Sequence, residues 1–164
     1  MFTVRPSDHQ DIARVDALLG RAYPRLLKPD YAPSMLVLAL PKISRAQPAL
    51  ITSGSYFLVE EQEALLGAGG WTAAAPGGGA VIRGVGHIRH VVTDDRATRR
   101  GVGRTLLKHI IEHAAAQGVR RLDCLSTLTA VPFYAAMGFS ERKTVTVPLG
   151  PGIDFPAVDM TRAL

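Results

Sequence analysis

Twenty residues, Ile88-Arg-His-Val-Val-Thr-Asp-Asp-Arg-Ala-Thr-Arg-Arg-Gly-Val-Gly-Arg-Thr-Leu-Leu107, constrain the fold more than any other part of the chain. A β-branched apolar run passes through a short loop straight into an amphipathic helix. From Gly101 to Gln117, Val102, Leu106, Ile110 and Ala114 recur every fourth residue, with Leu107 and Ile111 beside them. Arg104, Lys108 and Glu112 mark the wet face, and Gly118 is placed to end the helix. The loop finishes in Thr98-Arg-Arg-Gly-Val-Gly103. Glycines at 101 and 103 let backbone approach a ligand without side-chain obstruction. The helix beginning there offers unpaired N–H groups and the positive end of its dipole. Together these predict an anion site suited to phosphate, with Arg96, Arg99, Arg100 and Arg104 crowded around it. A P-loop is excluded, because no G-x-x-x-x-G-K-[ST] string occurs. A dinucleotide fingerprint is excluded too, because Leu106 stands where its third glycine belongs. The plain alternative is a turn whose glycines bend the chain and whose arginines keep it soluble.

The rest of the chain fits around this unit as one domain, residues 1–164, with no internal repeat. Phe2–Pro6 reads as a strand. Ser7 or Asp8 then caps a helix expected to run to about Leu19. The proline-rich stretch from Tyr23 to Thr52 suits short helices near Pro33–Leu40 and Ser44–Ile51. Ser55–Glu60 and Ala64–Thr72 read as a hairpin, Ala73–Ala80 as a loop, and Val85–Thr93 as the next strand. Arg121–Leu125 is a buried-type strand, followed by a short helix from about Ala130 to Met137. Strands near Ser140–Val147 and Phe155–Arg162 close the chain around Pro148–Gly152. The order predicts an α/β domain with a mixed, mostly antiparallel central sheet flanked by helices. A strand–helix–strand crossover is expected at Val85–Leu125.

Composition narrows the function classes. At 47% hydrophobic and 20% charged residues, the chain is too apolar for a disordered class. The single cysteine, Cys124, rules out a disulfide framework and a four-cysteine zinc site. The longest clean aliphatic run, Met35–Leu40, is far short of the ~20 residues a membrane span needs. Without an apolar h-region near Met1, a cytoplasmic location is expected and a membrane partner is not. The net charge of +5 calls for an anionic partner. Nucleic acid is the weaker choice: only 6% of residues are aromatic, and the arginines gather on one loop.

These features resemble the GNAT superfamily of N-acetyltransferases. Its pyrophosphate loop, [QR]-x-x-G-x-[GA], is matched at Gly101 and Gly103, with Thr98 in the Gln/Arg position. Its second hallmark, N-x-x-A-x-x-F-Y-x-x-x-G-F, resembles Thr127-Leu-Thr-Ala-Val-Pro-Phe-Tyr-Ala-Ala-Met-Gly-Phe139, with Thr127 where Asn is usual. The likeness covers Tyr56 to Phe139. It implies a GNAT-like acyl-CoA N-acyltransferase fold, with acetyl-CoA as co-substrate in a V-shaped opening between the two central strands. The pantetheine arm would pair with Val91, Val92 and Thr93. The pyrophosphate would sit on the N–H groups of Arg99, Arg100, Gly101, Val102, Gly103 and Arg104, and Thr98, Thr127 and Phe133 would complete the cofactor site.

The resemblance further implies transfer of an acetyl group directly to a primary amine of a small molecule or peptide, without a metal. Tyr134, in the Phe-Tyr pair, would protonate the departing thiolate; its other reading is a core tyrosine. For the base, relatives place a Glu eleven residues before the first loop-motif position, which here is His87. His90 is a second candidate. In an unbroken strand Val85, His87, Arg89 and Val91 share one face and His90 the other, unless a bulge shifts the parity. Both histidines are also consistent with plain packing in the sheet. Cys124 reads as a small core residue, and His109 and His113 as a solvated helix face rather than metal ligands. Trp71 reads as sheet packing, and Tyr23 and Tyr31 as candidates for the acceptor side. The alternative function is a sensor or scaffold that binds acyl-CoA without catalysis. Free strand edges leave a homodimer open.

Overall fold

The computed structural model describes all residues 1–164. Seven strands form one sheet: β1 (Thr3–Pro6), β2 (Tyr56–Glu61), β3 (Ala64–Thr72), β4 (Val85–Thr93), β5 (Arg121–Thr127), β6 (Ser140–Gly150) and β7 (Ile153–Ala163). Their spatial order is β1-β2-β3-β4-β5-β7-β6, antiparallel at every junction except β4–β5. Five helices accompany them: α1 (Ile12–Leu27), α2 (Pro33–Ile43), α3 (Pro48–Ile51), α4 (Val102–Ala116) and α5 (Val131–Ala136). The mixed, mostly antiparallel α/β architecture is the one expected, crossover included.

Two apolar clusters sandwich the sheet. The α4 stripe Val102, Leu106, Leu107, Ile110 and Ala114 packs with Phe57, Trp71, Ile88, Leu122 and Met160 on one face. On the other face, Val15, Leu18, Leu19 and Ala22 of α1 pack with Tyr56, Leu58, Ala68 and Val92. Each such buried aliphatic contributes about 1.5–3 kcal/mol relative to exposure. Helix α1 runs eight residues past the expected end at Leu19, to Leu27. Pro24 lies inside it and forfeits only one backbone bond, toward Gly20, while Tyr23 and Leu27 are drawn into the core. Asp8 caps the 3-10 turn before it, in a reciprocal box with Asp11.

The junction that matters for the site is β4–β5. Only three residue pairs, Val85–Arg121, Gly86–Leu122 and His87–Asp123, are in register; beyond them the strands part. A bulge causes the change. Gly70 faces Arg89 and Ala68 faces Val92, so Gly69 alone spans His90 and Val91. His90 takes the left-handed conformation, with φ of 54°. His is among the non-glycine residues that tolerate it. The bulge breaks the alternation expected of an unbroken strand. Arg89 and His90 now both reach the α1–α3 layer, Arg89 to Gln47 Oε1 and His90 to the Ile43 carbonyl. Two buried tyrosines hold it: the Tyr56 hydroxyl donates to the His90 carbonyl at 2.8 Å and the Tyr23 hydroxyl to the Val91 carbonyl at 3.1 Å.

Replacing Tyr56 with Phe keeps the ring and strips the donor from a buried carbonyl. The unfolding free energy in urea is expected to fall by about 1–2 kcal/mol. A melt superimposable on wild type would show that the bulge does not depend on this bond.

Candidate active site

A cavity of about 890 Å³ opens where β4 and β5 diverge. Ile88 to Thr93 form one wall and Cys124 to Thr127 the other. The loop after β4, the helix α5 and the tip of the β6–β7 hairpin complete it. Of the residues singled out from sequence, His90, Val91, Val92, Thr93, Thr98, Arg99, Gly101, Val102, Gly103, Arg104, Thr127, Phe133 and Tyr134 line this one space. His87 and Arg100 do not. His87 sits at the last position of β4 that pairs with β5, beside Asp123 and outside the cavity.

The loop is built to present donors. Asp94 caps a short 3-10 turn over Asp95–Ala97, taking hydrogen bonds from the Arg96 N–H and side chain and from Arg21. Arg99 and Gly101 then adopt left-handed conformations, φ of 63° and 85°. The Thr105 N–H bonds to the Gly101 carbonyl at 3.0 Å, but the N–H groups of Thr98 through Arg104 find no backbone partner. Such a row of free donors at a helix N-terminus is an anion cradle. Nothing lies within 4 Å of where a Gly101 Cβ would stand, so glycine there serves its positive φ and leaves the cradle open. Gly103 has a further reason to be glycine, in packing. A Cβ would come within 3.0 Å of the Phe133 ring, so the loop and α5 touch directly.

The expected arginine crowd is smaller than it looked. Arg96 is bound to Asp94, and Arg100 leaves the cavity for Glu61 at 2.7 Å and the face of the Phe2 ring. Arg99 and Arg104 alone remain uncommitted beside the cradle. The Thr127 hydroxyl accepts from the Ala130 N–H at 3.2 Å, in the turn just ahead of α5.

Tyr134 is buried, edge-on to Phe133 and Phe139. Burial pushes its phenol well above the ordinary value, and the neighbouring Cys124 thiol adds to this, so the hydroxyl keeps its proton across the neutral range. Burial likewise pushes Cys124 up to about 12; it stays a thiol, in keeping with its reading as a core residue. His90 is held below its ordinary value by burial. Its Nε2 lies 2.8 Å from the Ile43 carbonyl, which can only accept, so the neutral ring donates from Nε2 and keeps a lone pair on Nδ1. No Asp or Glu lines the cavity.

Two expectations change elsewhere. His109 and His113 are not a solvated face: both rings pack edge-on against Phe57, and His113 Nδ1 accepts from Trp71 Nε1 at 2.9 Å. Tyr23 lines the cavity, whereas Tyr31 stacks on Phe155 and bridges the Pro156 carbonyl and the Leu128 N–H, bracing the cavity from outside. Arg89 and Lys42, which also line the cavity, were not singled out; a lone arginine within the apolar run Val85–Val92 was the available signal.

A family model described as Acetyltransferase (GNAT) family matches residues 18–139. The chain belongs to the GNAT acetyltransferase family. Over 60 residues it is 38% identical to "Glucosamine 6-phosphate N-acetyltransferase 1" of Oryza sativa subsp. japonica, a match spanning 35% of each chain. The chain thus covers about a third of the length of that curated relative. Its fold is shared with a GCN5-related N-acetyltransferase of Rhodopseudomonas palustris, with TM-score 0.80, 21% identity and coverage of 99% and 95% of the two chains. The PaiA N-acetyltransferase of Thermoplasma acidophilum, solved with coenzyme A, follows at TM-score 0.74 and 11% identity, covering 100% and 99%. Residues of both sequence motifs that carried the resemblance line the cavity, Thr98, Gly101 and Gly103 in the loop and Phe133 and Tyr134 in α5. No helix is long and apolar enough to cross a membrane.

The partly buried histidines give this family member a pH signature. Burial lowers His87, His90 and His109 below their unfolded value of ~6.5, so the unfolded chain binds these protons more readily. Stability is expected to be level above about pH 6.5 and to fall as the pH drops below it. Urea midpoints between pH 8 and 5 test this. His90→Asn should flatten the slope, and an unchanged slope would remove His90 from it.

Proposed function

We propose that the protein is an acetyl-CoA-dependent N-acetyltransferase that moves the acetyl group directly to a primary amine of a small molecule or peptide. The observation that carries this reading is one cavity holding both ends of the chemistry: the row of free N–H donors from Thr98 to Arg104 and the protonated Tyr134 hydroxyl. The diphosphate of acetyl-CoA fits the cradle, with Arg99 and Arg104 beside it. The pantetheine arm would follow Val91, Val92 and Thr93 along the strand that β5 has left, past Phe133 and Thr127, bringing the thioester toward Tyr134.

The acceptor nitrogen must be neutral to attack, although a free alkyl amine near pH 7 is an ammonium ion. In this reading the lone pair on His90 Nδ1 takes that proton. The nitrogen attacks the thioester carbonyl carbon, a C–N bond forms and the C–S bond breaks. The leaving sulfur receives a proton from the Tyr134 hydroxyl, and the second proton released by the nitrogen as it becomes an amide restores that hydroxyl through solvent. The relatives' acceptors, glucosamine 6-phosphate among them, are the first amines to try. A cytoplasmic setting and pairing into a homodimer belong to the same proposal.

The carboxylate-free cavity also favours one other reading, an acyl-CoA sensor that never turns over. Two variants separate them. Gly101→Val forces a β-branched side chain into a left-handed position and fills the cradle, so calorimetric affinity for acetyl-CoA is expected to fall at least ~10-fold. Unchanged affinity in the folded variant would sink the cofactor assignment. Tyr134→Phe should leave that affinity intact and lower turnover ~10²–10⁴-fold. Equal rates, with chemistry rate-limiting, would take Tyr134 out of the mechanism.

A further inference from the structure

The acceptor end of the cavity carries positive charge that nothing in the protein neutralises. Arg89 lies on β4 four residues before Thr93, the strand's last residue, about 13 Å of strand from where the loop toward the cradle begins. Its guanidinium is half-buried and held by two neutral acceptors, Thr72 Oγ1 and Gln47 Oε1, each at 3.1 Å. Three of its five N–H donors remain unclaimed, and it enters no ion pair although fourteen others form in the chain. Lys42, at the end of α2, also lines the cavity without a carboxylate partner. Its Cε reaches across to the β6–β7 tip, 3.9 Å from where a Cβ on Gly150 would be. Asp123 of β5 and Asp159 of β7 are already occupied by Arg121 and Arg142.

We propose that Arg89 and Lys42 form an anion clamp, so that the acceptor is a primary amine that also bears a carboxylate or phosphate group. This deepens the transferase reading and rests on it. A guanidinium sheltered from water without a counter-ion costs free energy that a ligand oxyanion recovers, and its fork suits both anions. The clamp also explains the missing carboxylates. An ammonium entering a cavity of cations with no Asp or Glu is driven to release its proton, which is the form that attacks. A purely cationic polyamine is repelled by the same field.

The test is a panel of matched pairs under saturating acetyl-CoA: amino acids against their C-terminal amides, amino-sugar phosphates against the free amino sugars, and putrescine as the cationic control. The anionic member of the productive pair should exceed its neutral partner at least ~10-fold in kcat/KM. Which pair responds identifies the anion. In Arg89→Gln the preference should vanish through KM, with acetyl-CoA affinity unchanged; Arg89→Lys should retain part of it. Neutral amines or putrescine acetylated as well as the anionic ones, or a preference that survives Arg89→Gln, would overturn the clamp and leave the transferase standing. Acetyl-CoA binding without transfer to any amine would overturn the transferase reading, and the clamp with it.

Discussion

Everything at the cavity depends on β4 and β5 ceasing to pair after His87 and Asp123. Two parallel strands in mid-sheet normally satisfy each other's backbone along their whole length, and a gap there would leave buried polar groups unmet. Here the loss is limited by the bulge, which turns His90 to the α1–α3 side, and by the Tyr23 and Tyr56 hydroxyls, which take up the Val91 and His90 carbonyls. The sheet stays continuous through its first three β4–β5 pairs and splits above them, so both walls of the cavity are strands of a rigid sheet. Catalytic geometry gains from such support, since side chains on strands move less than those on loops.

Charge is distributed along the cavity by the same economy. Acidic residues close to it are bound to arginines: Asp94 to Arg21 and Arg96, and Asp123 and Asp159 to Arg121 and Arg142. The cations that line the cavity, Arg99 and Arg104 beside the loop and Arg89 and Lys42 farther along, have no carboxylate partner. An electrically one-signed cleft concentrates anionic ligands and makes their capture sensitive to ionic strength.

Much of this was legible in the sequence, and the exceptions have physical reasons. The strand–loop–helix unit is local: its glycines, capping and fourfold apolar spacing sit within thirty residues, so its place in the fold followed from the order of residues. Helix α1 outruns its expected end at Leu19, because the core contacts of Tyr23 and Leu27 outweigh the single bond lost at Pro24. The facing of His90 was unreadable because no residue code specifies a bulge. The split between paired and unpaired arginines was unreadable too, since Glu61, partner of Arg100, is 39 residues distant. His113 looked solvated on a helical wheel and is not, because Trp71 from β3 reaches over to it.

The contact between Gly103 and Phe133 ties two positions thirty residues apart into one unit of sequence change. A methyl group at 103 needs the ring to give way by a few tenths of an ångström, and that ring is itself packed on Tyr134 at 5.2 Å between centroids. A bulkier residue at 103 therefore requires a smaller one at 133, and the pair can drift only together. The loop end and the Tyr134 end of the cavity, which share no hydrogen bond, are in this way coupled by packing alone.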